Sequence, residues 1–384
     1  MIFSSTERTD DSPKKNQETD FGFLDRSARS EMYTVRALIE ELVAAHPEDH
    51  RDEVIARIRS GDDVHFKSAI FEVLLYTYMS LLGYRLEPHP ILEGSAKRPD
   101  FLVCGENGEE FYLEAVVASA NYGRPSAPNA MIGTLLDALD QEPHQSFLVS
   151  VNCDGSPTTQ PSGNKLKRAV HEWLNDLDPD EIHAACHGDL YAAPVLQWKH
   201  EGLEITVRAL PLEPERRGKS KALIALLDDG NGGALDQWSP IRDAIHNKGR
   251  RYGPLSKPLI VAVNMASFHL SVDDEMEALF GQEVVRMWAD GRHETDRAKN
   301  GAWLGPEGPR ARRVSGAWIF NAIGPYTICS RRGTLYVNPW ASNPMPDSLL
   351  QVPHARPAGN KMQHYGGVTL HELLKLPEGW PDND

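Results

Sequence analysis

The chain has 384 residues, 40% hydrophobic and 25% charged, a size and balance that imply two or three packed units rather than one simple domain. Its 40 Lys and Arg against 55 Asp and Glu give a formal net charge of −15, which repels nucleic acid at long range, so a nucleic-acid partner needs a local basic groove. The cysteines, Cys104, Cys153, Cys186 and Cys329, show no CxxC spacing, which argues against a zinc knuckle or a disulfide framework and for a reducing cytoplasm.

Residues 1–20 are polar and charged and read as a disordered tail without an apolar signal region. Residues 21–61 read as N-terminal helices. From Ser30, the residues Tyr33, Leu38, Ile39, Leu42 and Val43 give an amphipathic face that Pro47 ends, and Val54, Ile55 and Ile58 mark a second helix stopping at Ser60-Gly61-Asp62. A third helix runs over Val64–Leu82, with Asp62 or Asp63 as N-cap and Gly83 where a C-cap glycine belongs. It is apolar on nearly every face, which predicts burial on more than one side. Its most apolar window, Ala69–Leu82, is too short to span a bilayer, so no membrane association is expected and the protein reads as cytoplasmic.

Strand signals follow at Tyr84–Glu87, Phe101–Val103 and Phe111–Val117, the last two joined by the turn Gly105-Glu106-Asn107-Gly108. Residues 120–235 read as an inserted α+β subdomain: a loop, a helix over Ile132–Asp140, a strand over Ser146–Asn152, a helix over Lys165–Leu177 and a hairpin at Val195–Leu210. The glycine loop Asp228–Gly233 returns the chain to a helix over Ser239–Tyr252 and an apolar strand over Pro258–Asn264. The core is therefore expected to comprise 62–119 plus 236–265, with a mixed central sheet in the α/β class. Residues 266–384 read as a C-terminal extension with a helix at Asp273–Phe280, strands at Gly316–Phe320 and Thr334–Val337, and a flexible basic segment from Gly305 to Arg313.

Three acids occupy costly positions: Glu72 within the apolar helix, Asp100 after Pro99 at the head of a strand, and Glu114 inside the next strand. Parity places Tyr112, Glu114 and Val116 on one face of that strand. Asp100 and Glu114, brought together by one hairpin, would repel each other, and a Mg²⁺ or Mn²⁺ between them relieves the repulsion while polarising a phosphate oxygen. Each acid taken singly also fits a plainer place, on a strand edge, a solvent face or beside an arginine. No HExxH, GxSxG, Walker A or Rossmann fingerprint is present, and Asp228–Gly233 lacks the distal acid of a calcium loop.

The stretch 66–119 resembles the PD-(D/E)XK (restriction-endonuclease-like) nuclease superfamily, through the helix glutamate of AIFEVLL, the Pro-Asp of RPDFLV and the strand acid of YLEAV, in that order. The resemblance implies a core of helix, three strands, helix and strand, with Asp100 and Glu114 as metal ligands and Glu72 as their support. It also implies a lysine two residues beyond the strand acid, where this chain has Val116. Two explanations are open: a lysine supplied from elsewhere, or loss of catalysis. In IRDAIHNKGRRYG, Lys248 lies one helical turn before Tyr252 and resembles an auxiliary motif that reaches substrate or water in related nucleases. Lys248, Tyr252, Arg310, Arg312 and Arg313 are then the expected nucleic-acid contacts. The wider chain also resembles a group of bacterial proteins sharing RPDFLV, KGRRYG and LYVNPWA, a likeness that names no activity. The expected function is Mg²⁺- or Mn²⁺-dependent hydrolysis of DNA in restriction or phage defence. The alternative is a catalytically inactive relative that binds nucleic acid, a partner protein or a second copy of itself.

Overall fold

The apolar run after Asp62 forms the helix Asp63–Leu81, opened by the Asp62 carboxylate accepting from the Val64 and His65 amides and closed one residue before Gly83, whose φ of +92° suits only glycine without strain. Eleven of its residues are buried, including Phe71, Leu74 and Leu75 at 1–2% exposure, as its all-round apolar character requires. The computed structural model describes residues 1–119, 127–186, 192–220, 222–228, 236–266, 270–288, 292–359 and 361–381. The chain divides into two compact units, one of residues 1–7, 28–122 and 236–384, the other of 8–27 and 123–235.

The larger unit is α/β, built on a mixed eight-stranded sheet. Its first three strands, Arg85–Pro88, Phe101–Cys104 and Glu110–Ala118, form an antiparallel meander. Strand Leu259–Met265 then lies parallel to Glu110–Ala118, with Glu114 opposite Val261. All seven of its residues are buried, the pattern of a strand covered on both faces. Helix Trp238–Arg250 feeds this strand and lays Ile241, Ala244 and Ile245 on one sheet face, against Tyr112, Val261 and Val263. The opposite face receives helix Asp63–Leu81 through the ring pairs Phe71–Phe320, Tyr78–Trp318 and Tyr76–Phe101. The result is a three-layer arrangement of helix, sheet and helix.

Residues 266–384, expected as an extension, complete the same sheet. Gly316–Asn321 runs parallel to Leu259–Met265, and Gly333–Val337, His354–Ala358 and Lys361–Tyr365 add outward in turn. The last two strands carry no sequence signal because KMQHY is the solvent-facing edge and HARPA, beside it, buries only His354 and Ala355. The Gly305–Arg313 segment is not a free loop: Leu304–Gly305 pairs with Gly308–Pro309, and Arg310 donates to the Gly301 carbonyl at 2.8 Å. Helix Ser30–Ala44 buries Met32, Val35, Leu38, Ile39, Leu42 and Val43, whereas Tyr33 is 70% exposed and lies off the apolar face it was assigned to.

The tail expected over residues 1–20 is also corrected. Ile2 and Phe3 are buried at 1% and 4%, and the Arg59 guanidinium holds the Ile2 carbonyl at 2.7 Å. Two apolar residues with a backbone anchor outweigh the polar composition that follows them. Residues 8–27 belong to the second unit and include the helix Asp20–Arg26. That unit carries a four-stranded sheet in the order Val195–His200, Leu203–Pro211, Phe147–Gly155, Ile224–Asp228, with helices Ala127–Asp140, Gly163–Asn175 and Pro179–Cys186 around a core of Leu135, Leu139, Val149, Val151, Leu166 and Val170. The Asp228–Gly233 loop lies beyond Asp228 outside the described residues, as does the loop at 120–126.

Candidate active site

The meander register decides the first geometry. Phe101 stands opposite Leu113, and continuing that register sets Asp100 opposite Glu114. Asp100 Oδ2 accepts the Ala115 amide at 2.7 Å, which fixes the carboxylate across the strand pair. Glu114, on the face that parity assigns, is 0% exposed, with Tyr112 and Val116 packed toward helix Trp238–Arg250.

That helix delivers Lys248 to the same point. Its ammonium contacts Glu114 Oε2 directly and lies 3.8 Å from Asp100 Oδ2. Lys248 is 134 residues beyond Glu114 in sequence, and the helix that carries it packs on the strand face that holds Val116. Tyr252, one turn further on, is 6% exposed and donates its hydroxyl to the Arg98 carbonyl at 3.1 Å. Its burial removes it from the expected surface contacts; it pins the segment two residues before Asp100 instead.

Burial first, and the neighbouring Asp100 charge after it, push the Glu114 carboxyl up to about 8, with Lys248 offsetting only part of the rise. The other oxygen, Glu114 Oε1, is buried without a hydrogen-bond partner. A buried carboxylate with one unpartnered oxygen, beside a second carboxylate, fits the donor set a hard divalent cation takes. Asp100 and Glu114 are therefore the residues able to hold one.

Glu72 sits differently. Both of its oxygens are taken by Arg57, at 2.6 and 2.7 Å, and its carboxyl is raised by burial, then lowered by that hydrogen bond, with Asp100 close enough to raise it again. Glu72 thus borders the pair through its charge while its lone pairs are committed to a guanidinium. Arg57 is the member sequence reasoning missed. A basic residue in the last turn of the helix Glu48–Ile58 reads as a complement to the helix dipole, and only the fold shows that its fork closes on Glu72.

Arg310, Arg312 and Arg313 line a cavity of about 310 Å³ together with His246, Gly249 and Arg250. Gly249 is required here, since a Cβ would meet Val314 at 2.7 Å. Burial, and after it the nearby Arg242 and Arg250 charges, push the Arg310 guanidinium down. Among the described residues, Arg250, Arg310, Arg312 and Arg313 have no carboxylate partner. One helix therefore supplies Lys248 to the carboxylates and His246, Gly249 and Arg250 to a basic cavity, on a chain whose formal net charge is −15.

A scan against protein-family models, a search of curated proteins and a search of solved structures each return no match for this chain. Among the described residues no helix is long and apolar enough to cross a membrane.

Proposed function

We propose that the protein is a metal-dependent nuclease with a PD-(D/E)XK-like core, in which Lys248 replaces the lysine missing at Val116. One observation carries the reading: Asp100, Glu114 and Lys248, drawn from a strand head, a strand interior and a helix, converge on a buried point with one carboxylate oxygen left unpartnered. The element order of helix, three-strand meander, helix and parallel strand supports it, as does the basic cavity beside the helix that carries Lys248.

A Mg²⁺ or Mn²⁺ held by Asp100 and Glu114 supplies Lewis-acid polarisation of a phosphate oxygen and a more acidic bound water. The chain's own residues do the remainder. Lys248 presents a charged donor at the carboxylates, where negative charge accumulates as a phosphodiester is attacked. Arg250, Arg310, Arg312 and Arg313 hold backbone phosphates, and phosphate contacts position a nucleic acid without reading its sequence. The Tyr252 hydroxyl, bonded to the Arg98 carbonyl, keeps the Asp100 segment in place. DNA in restriction or phage defence is the substrate setting we favour.

Incubation of plasmid DNA with the full chain and Mg²⁺ or Mn²⁺ tests this. Cleavage is expected, Asp100→Ala abolishes it, and Lys248→Met lowers the rate by at least about 100-fold, the scale of losing one preorganised charged donor, while metal binding persists. Cleavage indifferent to Asp100→Ala removes the assignment. The competing reading, a protein of this fold that binds without cutting, draws on Val116 and predicts DNA retention with no cleavage under any metal.

A further inference from the structure

Helix Glu48–Ile58 places His50, Glu53 and Arg57 on one face, three and four residues apart. Arg57 is occupied by Glu72, but His50 and Glu53 meet a third residue, His89, from the turn that follows strand Arg85–Pro88. One ligand atom from each of the three lies within 4.8 Å of the others. The two imidazole rings sit edge to face with centroids 5.5 Å apart. Among the described residues no side-chain hydrogen bond or ion pair holds His50, Glu53 or His89, and the charge of Glu53 acts on Arg57, whose fork is bonded to both Glu72 oxygens.

We infer that His50, Glu53 and His89 form a binding site for a borderline divalent transition-metal cation of the Zn²⁺ class, separate from the Asp100–Glu114 pair. The donor set selects the class. Two imidazoles and one carboxylate suit Zn²⁺ and its neighbours, whereas Mg²⁺ takes oxygen ligands and keeps its water. Zn–N bonds of about 2.0 Å put tetrahedral ligands about 3.3 Å apart, so a bound cation draws in three ligand atoms that already lie within 4.8 Å of one another. A water would complete the shell, as in sites with three protein ligands.

The place of His89 supports the inference. Its φ of +49° is left-handed, uncommon outside glycine, and its amide donates to the Asp100 carbonyl at 2.9 Å. The turn that presents this imidazole is therefore tied to the backbone of the metal-binding aspartate. A cation here would fasten helix Glu48–Ile58, and with it Arg57, to the Asp100 segment. His46, in the same neighbourhood, is 3% exposed and held neutral by burial, so it adds no competing positive charge.

The test uses the full chain stripped with chelator and kept in saturating Mg²⁺, titrated with Zn²⁺ by calorimetry and with Co²⁺ by visible absorption. One Zn²⁺ per chain and the ligand-field bands of a low-coordinate Co²⁺ are expected. His50→Ala and His89→Ala each weaken binding by at least about tenfold, and Asp100→Asn leaves it unchanged. Should an alanine variant lose its native near-ultraviolet circular dichroism, His50→Asn and His89→Asn replace it, with the same expected loss. Wild-type affinity in the histidine variants, binding abolished by Asp100→Asn, or no Zn²⁺ heat and no Co²⁺ band in the wild type would each overturn the site. Plasmid cleavage does not enter any of these outcomes, so the nuclease reading stands or falls apart from this one.

Discussion

If Asp100 and Glu114 hold a divalent metal, its affinity must rise steeply between pH 6 and 9. Glu114 is raised from 4.5 to about 8, chiefly by burial, and a hard cation binds only the deprotonated carboxylate. With one proton to displace, apparent affinity is lowered by the factor 1 + 10^(pKa − pH), which is about 100 at pH 6 and close to one at pH 9. The net gain is about 90-fold, or about 3 kcal/mol of coupling. Isothermal titration of Mn²⁺ into the metal-free chain at several pH values reads this directly. At pH 7, buffers of differing ionisation enthalpy should report about 0.9 proton released per metal. Glu114→Gln should abolish both the proton release and most of the affinity. A flat affinity across this range, or a steep one retained in Glu114→Gln, would refute the claim that this carboxyl is the titrating ligand.

Three further outcomes follow from the same geometry. In the metal-free chain the native state keeps a proton on Glu114 that the unfolded chain has released above pH 4.5, so stability should fall as pH rises from 4.5 to about 8, and Glu114→Gln should flatten that part of a melting profile. Arg57→Met leaves the Glu72 carboxyl, 9% exposed, without its partner and should cost about 3 kcal/mol by denaturant titration, with Arg57→Met/Glu72→Met recovering more than half of the loss. Arg310→Ala and Arg313→Ala should each flatten the dependence of log K on log salt by about one in DNA-binding anisotropy, while an unchanged slope would remove the cavity from the interface.

What the sequence disclosed follows a physical division. Elements whose burial is complete announced themselves: the helix from Asp63 and the strand Leu259–Met265 are apolar because nothing around them is water, and both were legible to within a few residues. The last two strands were not, since Lys361–Tyr365 is the solvent-facing edge and His354–Ala358 buries only His354 and Ala355, so both look like loop. The first residues misled for the converse reason. Ile2 and Phe3 are too few to alter a composition average, yet a buried side chain does its work singly.

Within the site the same division separates what was readable from what was not. Asp100 and Glu114 stood out because a carboxylate inside an apolar strand has no local explanation, and a missing explanation points to a partner elsewhere in the fold. Lys248 is legible as that partner because Val116 leaves a defined chemical gap, one positive charge absent from the strand. Arg57, His50 and Glu53 had no such gap to fill. They lie on a helix whose polar face reads as ordinary solvated surface, and their meaning depends on Glu72 and His89, which arrive from other elements. An amphipathic helix conceals a functional face wherever polar residues turn toward polar partners instead of water, and no periodicity distinguishes the two. In this chain the acids Asp100 and Glu114 mark the candidate site in the sequence, while the exposed-looking residues Arg57, His50 and Glu53 are placed near it only by the fold.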